Sequence, residues 1–247
     1  MAVERINVLG VGVDVVKPEE LESVIFELLE KKKPCQIVFL TIWDLLKARR
    51  KNEYARCVRD ADLVIPVSRS IISGAKFLKR TVPLRHNPFS TVINILSALE
   101  SHYKTAYFFG GRKKVVMTAE KNVRSTFPGL QIVGRCAGYY KKNSGIEEDI
   151  EKAIYKASPS LTLMSEGIRE KDCWFYSRKS KFSTGIFLYY HDAFGIFSGR
   201  IKRTNTKTFE RGHEIYHEVI RNPFKIFLLL PFLLYKFRLV WWRLRKK

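Results

Sequence analysis

Short apolar runs rich in β-branched and aromatic residues recur along the chain: INVLGVGV at 6–13, QIVFL at 36–40, LVIP at 63–66, TAYFF at 105–109, LQIV at 130–133, SLTLM at 160–164 and GIFLYY at 185–190. Runs with few interleaved polar positions predict strands buried on both faces, as in a parallel sheet. Helical patterns fall between them. After the first run, Pro18 suits a helix N1 position, Leu21, Val24, Ile25, Leu28 and Leu29 share one face, and Lys31 to Lys33 complement the negative end of the helix dipole. Comparable patterns cover 43–58, 90–102, 112–126, 146–157 and 171–180. Alternating strands and helices predict a Rossmann-like α/β fold, a parallel sheet with helices on both faces.

Past residue 200 the pattern changes. A helical stretch near 206–220 leads into RNPFKIFLLLPFLLYKFRLVWWRLRKK, which divides the chain into a core over 1–200 and a helical appendage over 201–247. The longest charge-free run there, Ile226 to Tyr235, is ten residues and contains Pro231, against the ~20 apolar residues a spanning helix needs. Phe, Leu and Trp interleaved with Lys and Arg predict a helix lying in the lipid headgroup region. The alternative is a core-packed C-terminal helix with a basic tip.

Charge sharpens this reading. Lys and Arg number 45 against 24 Asp and Glu, a formal net charge of +21, and from Val219 onward there are eight basic residues and no acidic one. Phosphate-rich partners follow: anionic lipid, nucleotide-linked substrates or nucleic acid. No zinc finger, RRM-like aromatic motif or recognition helix supports nucleic acid, and the basic tail alternates with bulky apolar residues, which suits lipid. Four scattered cysteines, Cys35, Cys57, Cys136 and Cys173, imply no disulfide framework and fit a reducing cytosol. The opening MAVERINVLG lacks the apolar run of a secretory signal.

Two constellations could carry chemistry. TAYFF is followed by Gly110-Gly111, then Arg112, Lys113 and Lys114, then a helix. Glycines admit a phosphate to the backbone, and the helix N-terminus and basic side chains attract it, so a diphosphate is the natural ligand; a plain tight turn is the other reading. His213-Glu214-Ile215-Tyr216-His217 satisfies H-E-x-x-H, a zinc pattern. No His, Asp or Glu lies beyond Glu218 to supply a third ligand, so a zinc hydrolase is the minor reading. His191-Asp192, at a strand end, is a possible site pair that fits capping or a turn better.

The ordered set ADLVIP (61–66), FFGG (108–111), FPGLQIVG (127–134), GYY (138–140), Gly167 with Trp174 seven residues on, SGRIKR (198–203) and RGHEIYHEVIRNP (211–223) resembles the TagA/WecG/CpsF family of bacterial glycosyltransferases. The resemblance implies transfer of an N-acetylmannosamine-type sugar from a UDP donor to a polyprenyl-diphosphate-linked sugar, with inversion and with no cofactor or required metal. It also implies a cytoplasmic protein docked on the inner face of the membrane through its basic C-terminal appendage, and self-association. Carried onto this sequence, it places UDP-sugar binding at Gly110, Gly111, Arg112, Gly138, Tyr139 and Gly167. Acceptor or membrane contact falls to Arg203, Arg221, Lys225, Trp241, Trp242 and Arg243.

The departures fall on the chemistry. Where the family has Asp-Gly after ADLVIP, the Asp being its proposed base, this chain has Val67-Ser68. The family's T-x-N corresponds to Thr41-Ile42-Trp43, and its Gln-Glu pair to Lys171-Asp172; R-A-P becomes Arg203-Thr204-Asn205, while Gly212 and Glu214 are kept. Loss of a general base commonly costs 10²–10⁴ in rate. Either Asp172 or another carboxylate takes over as base, with Lys171 or Arg112 offsetting diphosphate charge and Thr41 completing the set, or the chain is a divergent member with weak or no transferase activity that binds nucleotide sugar or lipid carrier.

Overall fold

The computed structural model describes residues 3–141, 145–203, 209 and 229–245. Its centre is a six-stranded sheet built from β3 (Cys35–Leu40), β4 (Leu63–Pro66), β5 (Thr105–Phe109), β6 (Gln131–Cys136), β7 (Leu161–Met164) and β8 (Ile186–Tyr189) in the order β4-β3-β8-β7-β5-β6. All five pairings are parallel. Both faces are covered, which is why the strands read as unbroken apolar runs. Ile37, Phe39, Ala106 and Phe108 face α1 (Leu21–Glu30), α5 (Pro88–Ser101), α6 (Lys113–Thr126) and α9 (Ala193–Phe197). On the other face Val38 and Leu40 meet α3 (Glu53–Asp60), while Tyr107 and Phe109 meet α7 (Ile146–Ala157) and α8 (Asp172–Arg178).

The first apolar run departs from expectation. Instead of a strand in the parallel sheet it forms a separate antiparallel hairpin, β1 (Glu4–Val8) and β2 (Val11–Val15). Leu9 and Gly10 both take positive φ, 55° and 92°, the backbone of a two-residue type I′ turn, and Asn7 Oδ1 accepts the Gly10 N–H at 2.7 Å. The hairpin seals the β4 edge. Buried Asp14 accepts two bonds from the Arg5 guanidinium, at 2.7 and 2.8 Å, and one from the Val64 N–H at 2.6 Å. An edge strand that would otherwise invite pairing is thereby closed.

The helix expected over 43–58 is two, α2 (Ile42–Ala48) and α3. Asn52 starts the second by accepting the Ala55 N–H at 2.8 Å, an N-cap that ends any continuous helix. A further helix, α4 (Arg69–Phe77), follows β4. The stretch 206–220 lies outside the described residues apart from 209. The tail returns as α10 (Leu229–Arg245), packed on α4 and the hairpin through Tyr235 and Leu239. Tyr235 Oη donates to the Ser70 carbonyl at 2.7 Å, and Gly74 leaves room for that ring.

Candidate functional site

In a parallel sheet the loops at the carboxyl ends of the strands gather on one rim, where ligands bind. Every core position singled out from sequence lies after such a strand end. Thr41 follows β3, Val67 follows β4, Gly110 to Arg112 follow β5, Gly138 and Tyr139 follow β6, and Gly167 with Lys171 follows β7.

Three of these loops are welded by glycines. The Gly110 N–H donates to the Cys136 carbonyl at 2.9 Å, Gly111 to Glu166 at 2.6 Å and Gly138 to Gly111 at 2.9 Å. A Cβ on Gly138 would lie 2.7 Å from the Glu166 oxygen and 2.8 Å from the Gly110 Cα, and one on Gly110 2.7 Å from the Ser165 nitrogen. These glycines therefore serve close approach of backbones, and their N–H groups are engaged within the protein. The positive potential on this rim comes from the start of α6, where Arg112 is the N-cap residue and makes no side-chain cap.

Beside the weld opens a cleft of about 590 Å³. Tyr139 and Tyr140 form one wall, Gly167, Arg169 and Lys171 another, and Tyr189 and His191 the third. The Tyr139 ring is 56% exposed, with the Arg112 guanidinium 5.9 Å from its centre. Lys171 has φ 51° and ψ −124°, a conformation that favours glycine and costs of order 1–3 kcal/mol in other residues.

Glu166 was not singled out from sequence. Its buried carboxylate pairs with Arg200 and accepts from Tyr139 Oη at 3.4 Å. His191, read as a cap or turn, lines the cleft with Nδ1 3.2 Å from Tyr189 Oη. Its carbonyl accepts from Ser165 Oγ at 2.7 Å and from the Glu166 N–H at 3.1 Å. The available signal for both was their place just beyond an apolar strand.

The other expected catalytic residues are placed differently. The Thr41 hydroxyl caps α2, accepting the Asp44 N–H at 3.2 Å and donating to the Asp44 carboxylate at 2.5 Å. Val67 is buried, with its carbonyl accepting from Arg85 Nε at 2.9 Å. Asp172 turns inward rather than lining the cleft. Its backbone carbonyl accepts from Gln36 Nε2 at 2.8 Å, while Oδ1 has no partner among the described residues. Burial, reinforced by Asp44 and Cys173, holds its carboxyl well above the ordinary carboxylate range. Its side chain is buried and is not among the residues that line the cleft, so it does not face a hydroxyl bound there.

The expected acceptor and membrane residues divide. Arg203 donates to Ser90 Oγ at 3.0 Å and lies over the Phe89 ring. Arg221, Lys225, the HEIYH pattern, Gly212 and Glu214 lie outside the described residues. In α10, Trp242 approaches Gly10, whereas Trp241 faces outward with Leu230, Leu233, Leu234, Phe237, Val240 and Leu244. At 100° per residue these seven form one stripe, opposite the row Phe232, Tyr235, Leu239 and Trp242 that meets the core. Lys236 and Arg243 fall on one flank of the stripe, Arg238 and Arg245 on the other. Arg243 stacks on Phe77 at 4.7 Å and Arg245 on Trp241 at 3.9 Å. The inner face of α10 packs on the core, and the outer face presents apolar side chains between basic flanks. Among the described residues no helix is long and apolar enough to cross a membrane.

Residues 6–247 match the model of the glycosyl transferase WecG/TagA/CpsF family. The chain is similar to the N-acetylglucosaminyldiphosphoundecaprenol N-acetyl-beta-D-mannosaminyltransferase of Bacillus spizizenii, 21% identical over 178 residues that cover 72% of this chain and 67% of the relative. It is also similar to the enzyme of the same name from Bacillus subtilis, 17% identical over 213 residues, covering 86% and 78%. A match over nearly the whole chain, on a parallel sheet whose rim carries the glycine weld and the cationic cleft, places this chain in the WecG/TagA/CpsF family of glycosyl transferases.

Proposed function

We propose that this chain transfers an N-acetylmannosamine-like sugar, with inversion, from a UDP donor to a polyprenyl-diphosphate-linked acceptor at the inner membrane surface. The observation that carries the reading is the aromatic, cationic cleft on the carboxyl rim of the sheet. The exposed Tyr139 ring offers a platform for uracil, and Lys141, Arg169 and Lys171 line the same space. Fixed cations of this kind stabilise charge that develops on a departing diphosphate. The start of α6 and Arg112 add to the same potential. Relatives named for action on an undecaprenol-linked sugar support the acceptor class. The outer stripe of α10 supplies the surface that holds the cleft near a lipid-borne substrate.

A second reading has its own support. Val67 stands where the family carries its base, and Asp172 is turned to the interior, which favours a binder of nucleotide sugar without turnover. Titration calorimetry with UDP tests what both share. Saturable binding is expected, weakened about tenfold or more in Lys171→Ala through loss of a charge-assisted contact worth ~1.5–3 kcal/mol. No detectable UDP binding by the unaltered chain contradicts both readings.

A further inference from the structure

We propose that His191 accepts the proton of the acceptor hydroxyl, in place of the carboxylate missing at Val67. The inference rests on the transferase reading above. A general base must face the reacting space, have an unengaged acceptor atom and be held by a neighbour. His191 meets these conditions. It lines the cleft at the end of β8, a central strand between β3 and β7. Its Nδ1 is 3.2 Å from Tyr189 Oη, and Nε2 is engaged by no described residue. The neutral Tyr189 phenol can accept from Nδ1–H or donate to Nδ1, and we take the Nδ1–H tautomer. That tautomer leaves the Nε2 lone pair for a proton. The backbone is fixed as well, because the His191 carbonyl accepts from both Ser165 Oγ and the Glu166 N–H.

The carboxylates suit this role less well. Asp172 is interior and does not line the cleft, and Glu166 is committed to Arg200 and Tyr139. In the step, Nε2 takes the hydroxyl proton as the acceptor oxygen bonds to the anomeric carbon. The bond from that carbon to the diphosphate oxygen breaks, its electron pair leaves with UDP, and the imidazolium later returns the proton to water. The charged groups facing the imidazole are Lys141, Arg169 and Lys171 across the cleft, with Glu166 and Asp192 beside it in the backbone.

The test compares the unaltered chain with His191→Ala and His191→Gln, using UDP-N-acetylmannosamine and an undecaprenyl-diphosphate-linked N-acetylglucosamine acceptor. Both variants are expected to bind UDP as the unaltered chain does and to lose about 10²–10⁴ in kcat. Added imidazole, which the emptied cleft admits, should restore turnover to His191→Ala, a rescue that a structural role would not give. Variants within twofold of the unaltered rate, or variants that lose UDP binding along with rate and are not rescued, would overturn the assignment alone. An unaltered chain that binds UDP and never transfers would overturn the transferase reading and this assignment with it.

Discussion

Gly138→Ala is expected to lower the melting temperature by roughly 3–10 °C and to remove detectable UDP binding. The added methyl would stand 2.7 Å from the Glu166 carbonyl oxygen and 2.8 Å from the Gly110 Cα. Both neighbours are backbone, so neither can swing aside. Overpacking of this kind costs about 1–3 kcal/mol, and a kilocalorie moves the melting point of a chain this size by ~2–4 °C. The loop after β6 can relieve the clash only by moving out, carrying Tyr139 and Tyr140 from the cleft wall. Gly129→Ala is the control, because its methyl meets the flexible Glu100 side chain at 3.1 Å, and it is expected to stay close to unaltered in both measurements. Differential scanning calorimetry with UDP titration reads the pair. Normal UDP affinity in Gly138→Ala would contradict the placement of the nucleotide beside the weld.

The second large effect concerns the membrane. Replacing Leu233, Phe237 and Trp241 together by Glu is expected to release the protein from anionic vesicles while leaving its fold intact. These side chains are 61%, 70% and 45% exposed and are not members of the core clusters, so each change should alter stability by no more than about 0.5 kcal/mol. Burial of such side chains contributes about 1.5–3 kcal/mol each when complete, and each charge near an anionic surface contributes ~1 kcal/mol. Even partial immersion then predicts a fall in partition coefficient of about 10²-fold or more. Vesicle sedimentation measures it, and unchanged partitioning contradicts the lipid role of the stripe. The opposite row is expected to behave differently: Tyr235→Ala removes a buried ring and its bond to Ser70, and should destabilise the fold.

The parallel sheet was legible because both its faces are covered, which leaves an apolar signature in each strand. The hairpin was not, since INVLGVGV reads as one apolar run broken only by Asn7, Gly10 and Gly12, and neither a lone Asn nor a glycine within a strand pattern has a single meaning. Helix α4 escaped notice because Ser-Gly interrupts a nine-residue helix, and that glycine makes sense only beside Tyr235, 161 positions later. The site was legible as a set of strand ends but not as directions. Whether Asp172 faces the cleft or the interior depends on how α8 is rotated against β3 and α3, which packing decides. The partnership of Glu166 with Arg200, 34 residues apart, and the central position of His191 follow from a strand order that periodicity does not contain.

Family membership, the cationic cleft and the exposed apolar stripe of α10 support one proposal, transfer of a sugar from UDP to a lipid-linked acceptor. Its most direct test is a transfer assay on anionic vesicles carrying undecaprenyl-diphosphate-linked N-acetylglucosamine, supplied with UDP-N-acetylmannosamine and other UDP-sugars. The account predicts release of UDP matched one-for-one by sugar appearing on the lipid. Saturable UDP binding with no lipid-linked product for any donor would contradict it.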